Sequence, residues 1–156
     1  MKKIMVAVLS IVFVFNAFIT TTTVSAAGFS SKYYAGKDGS WEQRSSGDWQ
    51  FISKNTYRPI EHGWVKGQDG YWYYIYKSYM IYAADGVTSI DGWRQIMGRW
   101  YLFAGDGKLV QKSGWEWSAN AGKWMYWIPG DYGLATYETL VIDGKEYSFD
   151  YNGYLK

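Results

Sequence analysis

The sequence predicts an all-β fold, a solenoid of stacked β-hairpins built from about five repeats of roughly 20–29 residues. Three observations carry that expectation. A Trp that usually follows a small residue recurs at Trp41, Trp64, Trp93 and Trp115, with Tyr137 in the same place of a degenerate fifth copy, at spacings of 23, 29, 22 and 22 residues. A second aromatic stands seven to ten residues further on, at Trp49, Trp72, Trp100, Trp124 and Tyr147. Turns rich in Gly, Asp or Asn punctuate the copies, and periods of this length mean supersecondary units stacked on their neighbours.

Residues 1–27 read as a removed secretory signal: Lys2 and Lys3 begin it, an apolar run extends from Ile4 to Ile19, and Val24-Ser25-Ala26-Ala27 offers small residues for cleavage. A retained anchor needs about 20 apolar residues, more than this interrupted run supplies. A short segment, 28–40, precedes the array, which occupies 41–156. In each copy a short first strand such as Trp64-Val65-Lys66 or Trp115-Glu116-Trp117 leads to a turn, Gly67-Gln68-Asp69-Gly70 or Ala119-Asn120-Ala121-Gly122. The second strand is aromatic, as in Trp72-Tyr73-Tyr74-Ile75-Tyr76, Trp100-Tyr101-Leu102-Phe103 and Trp124-Met125-Tyr126-Trp127. Aromatic and β-branched residues favour strands, and glycine after Asp supplies the positive φ of tight hairpin turns. A helix is excluded because no apolar stripe at helical spacing escapes interruption by glycine. The longest spacing, Trp64 to Trp93, places a surplus of about seven residues within 76–86, as a longer second strand or a bulging connector.

Composition narrows the chemistry. The chain has no Cys and one His, His62, so thiol catalysis, disulfides and His- or Cys-rich metal sites have no material. An exported chain without Cys points to a bacterial product. Without Lys2 and Lys3, basic and acidic residues balance at 14 each, which leaves no basic surplus for nucleic acid. Six carboxylates, Asp38, Asp69, Asp85, Asp91, Asp106 and Asp143, directly precede glycine, where Asp favours turns. No pair of carboxylates and no nucleophile motif marks a catalytic centre. The expectation is a non-enzymatic protein without a cofactor.

What remains is the aromatic load, 10 Trp and 16 Tyr. A quaternary ammonium is attracted to the negative faces of such rings, at roughly 0.5–2 kcal/mol per contact. A pyranose ring can lie its C–H face on the same walls. About half of the aromatics are expected in the core, because alternate strand residues face opposite ways: Trp72 and Tyr74 one way, Tyr73 and Ile75 the other. The rest are expected to form a row of exposed rings.

The segments Gly63-Trp64-Val65-Lys66-Gly67-Gln68-Asp69-Gly70-Tyr71-Trp72-Tyr73-Tyr74 and Gly114-Trp115 with Gly122-Lys123-Trp124-Met125-Tyr126 resemble the cell-wall-binding, or choline-binding, repeat of Gram-positive surface proteins. Residues 142–155 resemble the terminal copy of such arrays, and the resemblance covers nearly all of 40–155. It implies a left-handed hairpin solenoid in which a trimethylammonium lies between successive repeats. Its walls are the first Trp, the second Trp, an aromatic from a neighbouring copy and often a Met. Carried onto this chain, the first Trps are Trp41, Trp64, Trp93 and Trp115, and the second are Trp49, Trp72, Trp100 and Trp124. The third walls are Tyr74, Tyr101 and Tyr126, and Met80 is the Met. Leu109, Leu134 and Leu155 stand where other copies would carry Met, Leu102 and Gln50 interrupt the aromatic step, and the fifth copy has neither Trp.

The function expected is attachment of a secreted protein to the bacterial cell wall, through choline on teichoic acid or a related wall or extracellular glycan, without nucleic acid or membrane as partner. Homodimerisation is compatible with this. The alternatives are a small wall hydrolase or inhibitor, and a structural, self-associating or glucan-binding surface module.

Overall fold

The computed structural model describes residues 31–89 and 91–156; the expected signal, 1–27, lies outside them. The described residues form strands, turns and connectors without a helix. Five antiparallel hairpins follow one another, each built from one copy of the repeat: β2 (Gly39–Gln43) with β3 (Trp49–Ser53), β4 (His62–Lys66) with β5 (Trp72–Tyr76), β7 (Trp93–Ile96) with β8 (Arg99–Leu102), β9 (Gly114–Ser118) with β10 (Lys123–Trp127), and β11 (Thr139–Ile142) with β12 (Lys145–Ser148). In register, Trp64 opposes Tyr74 and Trp115 opposes Tyr126. Two further strands are added: β1 (Lys32–Tyr34) runs parallel to β4, and β6 (Tyr79–Met80) closes on β5.

The expected turn chemistry is present. Asp69 accepts the Tyr71 N–H at 3.2 Å, Asp38 that of Tyr34 at 2.8 Å and Asp106 that of Lys108 at 3.2 Å. Asp85 holds a whole loop, accepting from the N–H groups of Tyr82, Val87 and Thr88. The surplus in the second repeat is therefore neither a prolonged β5 nor a plain bulge. Lys77 and Ser78, with φ of 50° and 69°, make a tight turn into a third strand, and the Asp85 loop follows.

Glycine before the first Trp has a steric cause. Gly92 has φ of 88° and its carbonyl accepts the Phe103 N–H at 2.9 Å; a Cβ there would collide with the Phe103 carbonyl oxygen. Gly92→Ala is expected to destabilise the third hairpin by about 1–3 kcal/mol, the usual cost of a side chain in a disallowed backbone region. A lowered midpoint in urea, read by tryptophan fluorescence, checks it.

Each hairpin is its own small sheet, so the solenoid is held by what passes between hairpins. A leucine after the hairpin performs this three times: the N–H groups of Leu109, Leu134 and Leu155 donate to the carbonyls of Trp72, Trp100 and Trp124, at 2.8, 2.9 and 2.8 Å. These are the leucines expected at the Met position of the repeat. Their backbones stitch each copy to the one before it, while Leu109 and Leu134 bury their side chains.

Packing corrects the expectation that each strand has one covered and one open face. Trp72 and Tyr74 lie in a cluster with Trp64, Tyr101, Phe103 and Leu109; Tyr73 and Ile75 lie in another with Phe51, Val65 and Trp41. Both faces of β5 are covered because the second hairpin is interior, between the first and the third. The alternation divides one cluster from the next.

Candidate functional site

Four junctions separate the five hairpins, and the same positions meet at each. The first and second Trp of one copy face the residue after the second Trp of the next copy, or its equivalent counted from the turn glycine. The four sets are Trp41, Trp49 and Tyr73; Trp64, Trp72 and Tyr101; Trp93, Trp100 and Met125; Trp115, Trp124 and Tyr147. The structure leaves the two end junctions open and fills the two central ones.

At the first junction Trp41 lies edge-on to Tyr73, with centroids 5.3 Å apart and planes at 71°, and edge-on to Phe51 at 5.4 Å. Trp49, exposed at 38 %, stands opposite, and Met80 from β6 completes a cavity of about 350 Å³ with Asp106 and Lys108 at its rim. Gly107 makes room for this Met, since a Cβ there would lie 2.6 Å from the Met80 Cε. The Tyr73 hydroxyl donates to Asp69 at 2.6 Å. Burial, then that hydrogen bond, pushes its pKa far above the ordinary value, so the ring stays neutral. Asp106 and Lys108 form an ion pair at 2.8 Å, and this hydrogen bond holds the Asp106 carboxyl below its usual range.

At the last junction Trp115 meets Tyr147 at 4.8 Å and 69°, and Tyr126 of its own hairpin at 5.0 Å and 64°. Trp124 stands at 87° to Trp115, and Trp117 at 66° to Trp124. These three indoles are exposed at 37, 46 and 50 % respectively for Trp115, Trp124 and Trp117. Mutually steep rings that remain open to solvent form the walls of a box.

Below this box, Trp127 donates its indole N–H to Glu116 at 2.6 Å, and Lys112 pairs with the same carboxylate at 2.9 Å. Burial raises the Glu116 pKa, but the bonds from Lys112 and Trp127 outweigh it and hold the group below its ordinary value. A lowered folded pKa gives stability that is present above the unfolded value, near 4.5, and is lost as pH falls through the folded one. Glu116→Gln should flatten the melting-temperature profile by lowering its neutral side while leaving the acid side little changed, as thermal unfolding across pH would read.

The central junctions differ. Trp64 and Tyr101, expected as walls of a ligand site, are both 0 % exposed. Trp64 stacks on Phe103 at 6.0 Å and meets Tyr74 and Tyr101 edge-on at 4.9 Å each. The Tyr101 hydroxyl donates to buried Asp131 at 3.0 Å. Neither ring can touch a ligand here, because the third hairpin closes on the second. Trp72 is nearly buried as well: Tyr34 of β1 meets it edge-on, and the ammonium groups of Lys66 and Lys32 lie 5.1 and 5.9 Å from its ring. The chain's own cations take the place a ligand cation would have.

At the third junction Trp93 stacks on Trp127 at 5.6 Å and 17°, and Trp100 gives its indole N–H to the Tyr151 carbonyl at 3.0 Å. Met125, Leu134 and Tyr154 fill the space between them. Tyr74 and Tyr126, expected as walls from a neighbouring copy, instead oppose the first Trp of their own hairpins. Tyr73 and Tyr147, not among the expected site residues, supply the neighbour's wall. A signal for them exists in the sequence: each stands three residues after a turn glycine, Gly70 or Gly144.

Two carboxylates serve a buried cation. Asp131 and Glu138 clamp the buried Arg99 at 3.2 and 2.9 Å. Burial pushes the Arg99 pKa down, yet these two charges overcome it and hold the guanidinium above its ordinary value. His62 opens β4, where its Nδ1 accepts the Lys77 N–H at 3.4 Å and its ring lies on Tyr76. No cluster of three or more His, Asp or Glu able to hold a metal ion occurs among the described residues.

Fold and site together define a β-hairpin-repeat solenoid with aromatic boxes between its repeats. Solved structures similar to this chain include CbpJ from Streptococcus pneumoniae TIGR4, at 24 % identity over 74 % of this chain and 35 % of that one, with a TM-score of 0.44. They include CbpF, choline binding protein F of Streptococcus pneumoniae, in complex with ipratropium, at 29 % identity over 74 % and 31 %, with a TM-score of 0.43. A truncated alternansucrase from Leuconostoc mesenteroides NRRL B-1355 is 18 % identical over 76 % of this chain and 10 % of that one, and its TM-score of 0.51 shows a shared fold. The chain spans about a third of the length of the first two. No family model and no curated protein matches it.

Proposed function

We propose that this is a secreted, non-catalytic protein that attaches to the bacterial cell wall by holding choline groups of teichoic acid in the boxes at its first and last junctions. The observation that carries the reading is the first box: Trp41, Trp49, Tyr73 and Met80 around about 350 Å³ of open space. A trimethylammonium donates no conventional hydrogen bond, so it asks only for negative ring faces and a soft, adaptable Met. The Asp106–Lys108 pair brings no net charge to the rim. Two weak sites at opposite ends of one array engage a polymer together, the second at high effective concentration.

The carboxylates support the absence of catalysis, since Asp69, Asp85 and Asp106 serve turns and Glu116, Asp131 and Glu138 serve buried donors. Retention on a choline-bearing resin and elution by free choline is the test. Passage through that resin and through immobilised teichoic acid would remove the proposal. Sedimentation with and without choline reads self-association, and a dimer formed only with ligand would place the boxes at the contact.

A further inference from the structure

A second kind of site lies away from these boxes, at the tip of the third hairpin. There a cleft of about 330 Å³ opens between the turn joining β7 to β8 and the chain leading into β11. Its rim carries Met97, Tyr137 and Tyr151, with the Lys156 ammonium 5.7 Å from the Tyr137 ring, and its floor is polar. Met97, Tyr137 and Tyr151 are exposed at 63, 76 and 57 %. Met97 and Tyr137 also occupy left-handed backbone, with φ of 50° and 51°, a region that large side chains rarely adopt. The fold holds them there: the Tyr137 N–H donates to the Asp150 carbonyl at 2.9 Å. Two bulky apolar side chains thus face one cleft from strained positions where glycine would be the easier choice.

The floor has hydrogen-bonding capacity to spare. Gln95 accepts the Tyr151 hydroxyl at 2.9 Å and gives one N–H to the Gly98 carbonyl at 3.2 Å, which leaves one donor and one acceptor position. Glu138 accepts two contacts from the Arg99 Nη2 and one from the Thr136 N–H, fewer than its oxygens can take. The Arg99 guanidinium beneath them is buried and neutralised by Asp131 and Glu138, so the capacity open to a ligand is that of Gln95 and Glu138. Donors and acceptors therefore lie side by side beneath aromatic walls.

That arrangement discriminates between ligand classes. A quaternary ammonium has no hydrogen-bonding group with which to use the Gln95 amide or the spare acceptor positions of the floor. A pyranose hydroxyl both donates and accepts, and the ring's C–H face can lie on a tyrosine while its edge reaches the floor. From this geometry we infer that the cleft between Gln95, Arg99, Tyr137, Glu138 and Tyr151 binds a neutral saccharide, independently of the choline boxes. One array would then read both the cationic decoration of a wall polymer and a sugar ring of the same surface.

The test is saturation-transfer difference NMR on the full chain with isomaltotriose and with N,N′-diacetylchitobiose, each in saturating choline. At least one saccharide should receive magnetisation despite the choline, with the effect falling about tenfold in Tyr137→Ala and in Gln95→Ala, the scale of one lost ring or hydrogen-bond contact. Trp49→Ala should leave it unchanged. Both Tyr137 and Gln95 border solvent, and circular dichroism of each variant establishes that the fold persists. Transfer to neither saccharide, transfer abolished by choline, or a Tyr137→Ala variant that behaves like the parent would each overturn the assignment. None of these results would touch the choline reading, which the resin experiment decides separately.

Discussion

Trp64→Ala should cost about 3–5 kcal/mol of unfolding free energy, the range for removing a fully buried large aromatic. The indole is wholly shielded from solvent and touches residues of two hairpins, Tyr74 in its own and Tyr101 and Phe103 in the third. Its removal leaves a cavity whose walls belong to separate small sheets, so the second and third repeats lose their mutual support together. Urea unfolding followed by far-ultraviolet dichroism is the measurement, and a large fall in the midpoint is the expected result. Tyr57→Ala serves as the comparison: that ring is 83 % exposed and its loss should stay within about 0.5 kcal/mol. If Trp64→Ala were equally mild, the second junction would be a groove rather than a core.

The second large effect concerns binding. Trp49→Ala removes a wall of the first box and Trp124→Ala one of the last, and both rings are substantially exposed, at 38 and 46 %. Each single variant should lose one of two choline equivalents in isothermal titration, with the melting temperature nearly unchanged. The double variant should lose resin retention altogether. Each ring contact with the cation is worth roughly 0.5–2 kcal/mol, so a box deprived of one wall weakens by up to about thirtyfold. Trp72→Ala separates the accounts: by its burial it should reduce stability first, and binding only through lost fold. A selective loss of choline affinity in a stable Trp72→Ala protein would contradict the assignment of that junction.

The hairpins were legible because their signals are local. Trp93 and Trp100 bracket Met97-Gly98, whose φ values of 50° and 84° are those of a tight turn, and Asp69 and Asp106 satisfy the backbone of their own turns. The partners of β1 were not legible, since Lys32–Tyr34 pairs in parallel with residues about thirty positions away and no turn announces it. Strand β6 carries no sequence signal for the opposite reason. Its turn is local, but Lys77 and Ser78 adopt positive φ without the Gly, Asn or Asp that marks such turns.

At the site, the period shows which positions recur, while the structure decides which of them remain open. Trp41 and Trp64 occupy one position of the repeat, and only the neighbours distinguish them. Trp64 is covered by Tyr101 and Phe103 of the third hairpin, whereas Trp41 faces Tyr73 and the gap before Met80. Such differences come from single tertiary contacts, the Tyr34 and Lys66 side chains on Trp72, or the Tyr151 backbone carbonyl on the Trp100 indole. The choice of Tyr73 over Tyr74 is likewise a matter of strand phase. A period of two separates the faces, but the stacking of the adjacent hairpin determines which face meets the first Trp of the preceding copy.

The most direct measurement is a crystal structure of the protein grown or soaked with choline. Ligand density should lie within the walls of Trp41, Trp49, Tyr73 and Met80 and within those of Trp115, Trp124 and Tyr147, and Trp64 should remain packed against Tyr101. Density between Trp64 and Tyr101, or empty boxes at both ends at saturating ligand, would contradict it.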